Sequence, residues 1–237
     1  MKRPPLLVIV GPTGVGKTAV AVRLGAALSM EAVNADSRQI YRGMDIGTGK
    51  PTPEERAVLP HHLIDVADPH ERYHVARFRT EALEALAGIR ERRRLPVLVG
   101  GTGLYVRALL KGLKPAPPAD PALRRELEAY ADAHGASALH ARLCRLEPEA
   151  ARRLHPNDRV RIIRAIEVRL RAGAADPEGE AVAEWRRSVP AWHLLMIGLR
   201  QDAEGLRARL ADRARDMLAR GMLEEVRRLL QAGYDES

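Results

Sequence analysis

The chain carries one cysteine, Cys144, in 237 residues, so no intrachain disulfide can form and the composition suits a reducing cytoplasm. Cys144 reads as a small apolar residue on a helix face. Aromatic residues make up only 3% of the chain, with a single Phe. That scarcity argues against a protein that grips bases mainly on a stacking platform, and any nucleic-acid contact should rest on arginine and shape. No apolar run approaches the roughly 20 residues of a membrane helix, and Leu6 to Val10 is too short for a signal segment. No internal repeat or low-complexity tract is present, which excludes a repeat architecture. What the chain has is basic charge: 39 Lys and Arg against 31 Asp and Glu, a net +8. The balance leans toward a polyanionic partner, although Arg-rich surfaces also occur in high-GC or heat-adapted lineages. The length suffices for one good core and a second, smaller unit.

The most informative stretch is Gly11-Pro12-Thr13-Gly14-Val15-Gly16-Lys17-Thr18, which follows the apolar run Leu6 to Val10. A buried strand, a glycine-rich turn and Lys-Thr opening a helix form a cradle for a phosphate chain. Backbone N–H groups converge on phosphate oxygens, the helix N-terminus favours negative charge, Lys17 adds a mobile cation, and the Thr18 hydroxyl can ligate Mg²⁺.

The first half alternates such runs with helical patterns, as a parallel α/β layer requires. Strands are expected at Glu31 to Asn34, His62 to Val66 and Pro96 to Gly101. Helices are expected at Thr18 to Leu28, Ala76 to Arg90 and Leu104 to Leu110. Lys114 to Pro121 holds four prolines and reads as a linker. Four helices are expected beyond it, at Leu123 to His134, Ser137 to Leu146, Pro148 to Leu154 and Asp158 to Arg171, and then a loose stretch from Ala172 to Glu180. Leu194 to Leu199 returns to buried-strand composition, so the helical block is expected to interrupt an α/β core. Asp202 caps a further helix whose apolar face holds Leu206, Leu210, Ala214, Met217 and Leu218, and Met222 to Leu230 forms another. The expected divisions are 1–113, 114–190 and 191–237.

Open parallel sheets bind ligands at the carboxyl ends of their strands. Three such ends carry polar groups: the phosphate loop, Asp36-Ser37, and Gly100-Gly101-Thr102. Asp36 beside a bound pyrophosphate can take a proton or hold Mg²⁺, or it can be a turn residue. Asp65 is the only approximation to the strand-end carboxylate of a motor-type NTPase. On the helix from Asn157 to Glu167, Ile162, Ile163 and Ile166 can face a core while Arg161 and Arg164 project together. Such an edge suits phosphate contact, or is simply a solvated face.

Five blocks in order closely resemble the tRNA dimethylallyltransferase (tRNA isopentenyltransferase) family. They are the phosphate loop, Asn34-Ala35-Asp36-Ser37-Arg38-Gln39-Ile40-Tyr41, Met44-Asp45-Ile46-Gly47-Thr48-Gly49-Lys50-Pro51, Val99-Gly100-Gly101-Thr102-Gly103-Leu104-Tyr105 and His155-Pro156-Asn157-Asp158. The resemblance implies a P-loop NTPase-like α/β core, a parallel sheet flanked by helices, with an inserted all-helical domain that binds the anticodon stem of tRNA. It implies transfer of a dimethylallyl group from dimethylallyl pyrophosphate to N6 of the adenine 3′ of the anticodon. In that chemistry Asp36 is the general base. Thr13, Lys17, Thr18, Mg²⁺ and Arg213 neutralise the departing pyrophosphate, with Arg207, Arg209 and Arg215 close to Arg213 in sequence. Thr102 lies near the base and the tRNA. Ser37, Arg38, Gln39, Arg124 and the run Val160, Arg161, Ile162, Ile163 and Arg164 match tRNA-contacting positions. The target adenine leaves its stack, at about a few kcal/mol. A cytoplasmic monomer without a membrane partner is expected. Members of the family usually run on for several dozen residues past Tyr234. The alternatives are a small-molecule kinase, a prenyltransferase acting on adenine nucleotides, and an RNA-binding protein without turnover.

Overall fold

A computed structural model describes residues 3–113, 116–172 and 192–234. The apolar runs form five strands: β1 (Pro5–Val10), β2 (Met30–Asn34), β3 (His61–His62), β4 (Leu95–Val99) and β5 (His193–Gly198). They make one sheet in the order β3-β2-β4-β1-β5, with every pairing parallel. Because successive side chains alternate across a strand, the central strands feed two cores. Leu6, Val8, Val33, Ala35 and Leu98 pack on one face, and Leu7, Ile9, Ala32, Val97 and Val99 on the other.

Helix α1 (Lys17–Ala27) covers the second face through Ala21. Helices α3 (Val75–Glu91) and α4 (Gly103–Lys111) cover the first, and Phe78, Ala82, Leu86 and Ile89, recurring at helical spacing, are all fully buried. The short α2 (Pro53–Val58) was not among the expected helices, although Thr52 and Glu55 form a reciprocal capping box around Pro53. β3 is much shorter than expected: Leu63 and Asp65 both adopt φ of 60°, which ends the extended conformation after His62. β5 departs from the expected buried strand. Among the described residues it pairs only with β1, at the sheet edge, and Leu195 and Met196 are exposed. Helix α9 (Ala203–Ala219), capped by the Asp202 carboxylate, likewise buries no residue fully; Leu210 and Leu218 of its apolar stripe are exposed.

The chain divides into two compact units, Met1–Leu113 with Val189–Ser237 and, between them in sequence, Lys114–Ser188. The second unit is helical: α5 (Pro121–His134), α6 (Ala136–Leu146), α7 (Pro148–Arg153) and α8 (Arg159–Ala172). Pro121, expected to end the linker, instead opens α5, and the Asp120 carboxylate caps that helix. Residues 114 and 115 of the linker, the stretch from 173 to 180 and the division near 190 lie outside the described residues. Leu127, Leu139, Leu143, Ile162 and Ile166 form the core of this unit. Cys144 is exposed on α6. Among the described residues no helix is long and apolar enough to cross a membrane.

One carboxylate inside the second unit is held by charge. Glu167 is fully buried; it accepts from both Nε and Nη2 of Arg124 at 2.9 and 2.8 Å, from the Asp120 N–H at 2.6 Å, and from Arg164. Burial pushes its pKa upward, but these hydrogen bonds outweigh burial and hold it at about 2. A folded-state value below the unfolded one means the group stabilises the fold above its ordinary carboxyl value, and that contribution is lost as pH falls toward about 2. Glu167→Gln should cost about 1–3 kcal/mol at neutral pH. The gap in urea midpoint between variant and wild type should close as pH falls to about 2; a gap independent of pH would contradict the assignment.

Candidate active site

The carboxyl ends of β1, β2 and β4 open into a cleft of about 490 Å³. Backbone hydrogen bonds continue the sheet past its strands and fix this edge: Ala35 N–H to Val99 O at 2.8 Å, Gly100 N–H to Ile9 O at 3.2 Å and Thr102 N–H to Ala35 O at 3.1 Å. The approach at Gly100 admits no side chain, since a Cβ there would lie 2.2 Å from the Ala35 carbonyl oxygen.

The cleft gathers Thr13, Gly14, Gly16, Lys17 and Thr18 of the phosphate loop, Asp36 and Gln39 beyond β2, and Arg213 of α9. Gly16 caps α1 in the left-handed conformation, so α1 starts at Lys17 as the motif requires. Lys17 Nζ donates to the Gly11 and Pro12 carbonyls, each at 3.0 Å. Burial lowers its pKa, Asp36 pulls it back up and Arg213 pushes it down, for a net downward shift. His61, also lining the cleft, is shifted downward chiefly by burial, which favours the neutral imidazole.

Asp36 holds a turn and faces the cleft at once. Its Oδ1 accepts from the Arg38 N–H at 2.9 Å, and the residue still lines the cleft wall. Thr102 is the N-cap residue of α4, yet its hydroxyl makes no capping bond; it accepts from the Ser37 N–H at 3.0 Å and so steadies the residue after Asp36. Thr102, Ser37 and Arg38 are not themselves among the cleft-lining residues, nor are Gly11, Pro12 and Val15 of the loop. Asp65, the nearest approximation to a motor-type carboxylate, is committed to Lys50 and to Arg56 at 3.1 Å and does not line this cleft.

Arg209, named from the sequence only as a neighbour of Arg213, lines the cleft with Arg213 and Met217, as do Asp212, Asp216 and Arg220, which were not among the expected site residues. The signal was available: 209, 212, 213, 216, 217 and 220 step by three and one along a single helix face. The same period separates Arg213 from its neighbours. Arg209 reaches the Val15 carbonyl at 3.4 Å, Arg213 the Thr48 carbonyl at 3.4 Å, whereas Arg207 bonds back to Ala203 and Arg215 pairs with Asp212 in solvent. The Thr48 to Thr52 wall, with Glu55, completes the cleft.

In the second unit the residues matched to tRNA contacts divide by burial. Val160 and Arg161 are exposed, Arg161 pairing with Asp158 at 3.3 Å. Ile162 and Ile163 are buried in the helical core, so of the run from Val160 to Ile163 the exposed side chains are those of Val160 and Arg161. Arg124 and Arg164 are half-buried around Glu167, and Arg164 also donates to the Pro117 carbonyl at 2.9 Å.

The family model described as IPP transferase matches residues 39–237, and the one described as isopentenyl transferase matches residues 4–65. The chain is 48% identical over 229 residues to a tRNA dimethylallyltransferase of Geobacter sulfurreducens, spanning 97% of this chain and 73% of that one. It is 50% identical over 232 residues to a tRNA dimethylallyltransferase of Methylococcus capsulatus, with the same coverage of 97% and 73%. Among solved structures it resembles the full-length tRNA isopentenylpyrophosphate transferase of Bacillus halodurans, with 41% identity, a TM-score of 0.66, and 99% of this chain and 72% of that chain covered. It also resembles a eukaryotic dimethylallyltransferase acting on tRNA, with 29% identity, a TM-score of 0.75, and 97% and 56% covered.

Calorimetric titration with inorganic pyrophosphate checks the α9 assignment. Arg209→Ala and Arg213→Ala should each weaken binding about tenfold, the order of one charge-assisted contact. Arg215→Ala should leave binding unchanged; an equal loss in all three would reduce the effect to net charge.

Proposed function

The chain belongs to the IPP transferase family, and from that premise we propose that it moves a dimethylallyl group from dimethylallyl pyrophosphate to N6 of the adenine 3′ of the anticodon in tRNA. The observation that carries the reading is one cleft holding a phosphate loop, two α9 arginines and the Asp36 carboxylate. A bond forms between adenine N6 and the allylic carbon, the bond from that carbon to the bridging oxygen breaks, and the electron pair leaves with pyrophosphate. Asp36 accepts the N6 proton. An exocyclic amine is a poor nucleophile, so a positioned base contributes about 10²–10⁴-fold. The loop amides, Lys17, Arg209 and Arg213 meet charge as it builds on the leaving group, the electrostatic effect that is largest in such reactions.

Mg²⁺ fits this donor set. Thr18 and Asp36 both line the cleft, and no group of three or more His, Cys, Asp or Glu able to hold a metal occurs among the described residues. That suits an ion which keeps waters and takes its remaining oxygens from substrate phosphates. Bound there through the Thr18 hydroxyl, it supplies further charge neutralisation for the pyrophosphate.

The net charge of +8 and the exposed Arg161 support an anticodon stem-loop as partner, held through phosphates and shape. Ser37, Arg38 and Gln39 lie next to the base in sequence and suit contact with the flipped nucleotide. A monomer working in the cytoplasm, where the exposed Cys144 stays reduced, completes the reading.

Isotope-labelled dimethylallyl pyrophosphate with an anticodon stem-loop tests the whole: label should appear on the loop adenine. Label only on free AMP, or γ-phosphate loss from ATP, would contradict it. Asp36→Asn should lower turnover about 10²–10⁴-fold while pyrophosphate binding stays near wild type; retained turnover would remove Asp36 from the mechanism. Arg161→Ala should weaken RNA binding and flatten the salt dependence by a slope of about 0.9, one phosphate contact. An unchanged slope would return Arg161 to a solvated face.

A further inference from the structure

Helix α10 (Met222–Gln231) buries a carboxylate. Its Leu223, Val226 and Leu230 are exposed, while the carboxylate Glu225 is buried to 3% exposure. Glu225 is occupied entirely by one loop. Its Oε2 accepts from the Asp45 N–H at 2.9 Å and the Ile46 N–H at 2.7 Å, and its Oε1 from the Gly47 N–H at 2.9 Å. Three consecutive amides converging on one point form an anion-binding nest. Here the anion is a side chain some 178 to 180 residues away in sequence.

That loop is a wall of the cleft. Thr48 and Gly49 line it, the Gln39 amide donates to both their carbonyls at 3.3 and 3.0 Å, and Arg213 donates to the Thr48 carbonyl. Gly49, at φ of 61°, leaves the Arg213 guanidinium its space; a Cβ there would sit 2.0 Å from Nη2. The position of Arg213 therefore depends on how the loop is held; Lys50 ties it at Asp45, and Glu225 takes the three amides of residues 45 to 47.

We infer that Glu225 is a positioning residue for the pyrophosphate site: its carboxylate locks the amides of residues 45 to 47 so that Thr48 and Gly49 set the guanidinium of Arg213 against the leaving group. The inference rests on the reading of the cleft as a pyrophosphate site, and it is separable from prenyl transfer. Glu225→Gln keeps the shape but offers a single acceptor oxygen and turns an NH₂ toward an amide N–H.

Calorimetry with inorganic pyrophosphate and Mg²⁺ reads the effect without any transfer step. Glu225→Gln should weaken pyrophosphate about tenfold, and adding it to Arg213→Ala should cost less than about twofold more, because both act through one contact. Wild-type affinity in Glu225→Gln, or losses that multiply in full, would overturn the inference. If Glu225→Gln does not fold, the wild-type chain carries the test. Coupling is reciprocal, so saturating pyrophosphate should slow hydrogen exchange at the amides of Asp45, Ile46 and Gly47; exchange unchanged by pyrophosphate would overturn it. A wild type that binds pyrophosphate but alkylates no RNA defeats the transfer reading and leaves this one standing.

Discussion

The hydrogen bonds that carry the sheet one residue past its strands are the constraint on which the site depends. Ala35 to Val99, Gly100 to Ile9 and Thr102 to Ala35 tie the ends of the three central strands into a single edge. Each strand then releases a different chemical group from that edge: a phosphate loop after β1, a carboxylate after β2, a hydroxyl after β4. In a parallel sheet all three emerge on the same side. Backbone bonds between buried strands cost most to break, so this part of the site is the least able to drift.

The remaining wall is built differently. Helices α9 and α10 and the loop from Met44 to Lys50 are tied together through side chains: Arg209 on Val15, Arg213 on Thr48, Glu225 on three amides and Lys50 on Asp45 at 2.7 Å. These are charge-assisted bonds, each stronger than a neutral one and each dependent on a single rotamer. One side of the cleft is thus set by the fold and the other by a network of charges.

Much of this was legible in the chain. The glycine-rich loop announced itself by residue type, and the α3 stripe of Phe78, Ala82, Leu86 and Ile89 by period. The run His62 to Val66 predicts a longer β3 because an apolar run carries no mark of a left-handed residue; Leu63 and Asp65 in that conformation cut it short. Leu194 to Leu199 reads as a buried strand because composition reports hydrophobicity and not position in the sheet, and β5 lies at the edge. Glu225 was out of reach, since a glutamate in a Leu- and Arg-rich helix looks like a solvated residue until its partners, far away in sequence, are known. Arg209 and Asp216 were within reach, had the helical period been followed outward from Arg213. Ile162 and Ile163 were legible by period as core residues of the second unit, and they are buried there.

In the proposed reaction this cradle serves an attack on carbon, with phosphate only departing. Dimethylallyl pyrophosphate carrying heavy oxygen at the position bridging carbon and phosphorus tests it directly, by mass analysis of both products after a single turnover with an anticodon stem-loop. The released pyrophosphate should hold all the label while the RNA gains an unlabelled five-carbon unit. Label retained in dimethylallyl alcohol or its monophosphate, with unmodified RNA, would mean that a phosphorus–oxygen bond breaks, and would contradict the account.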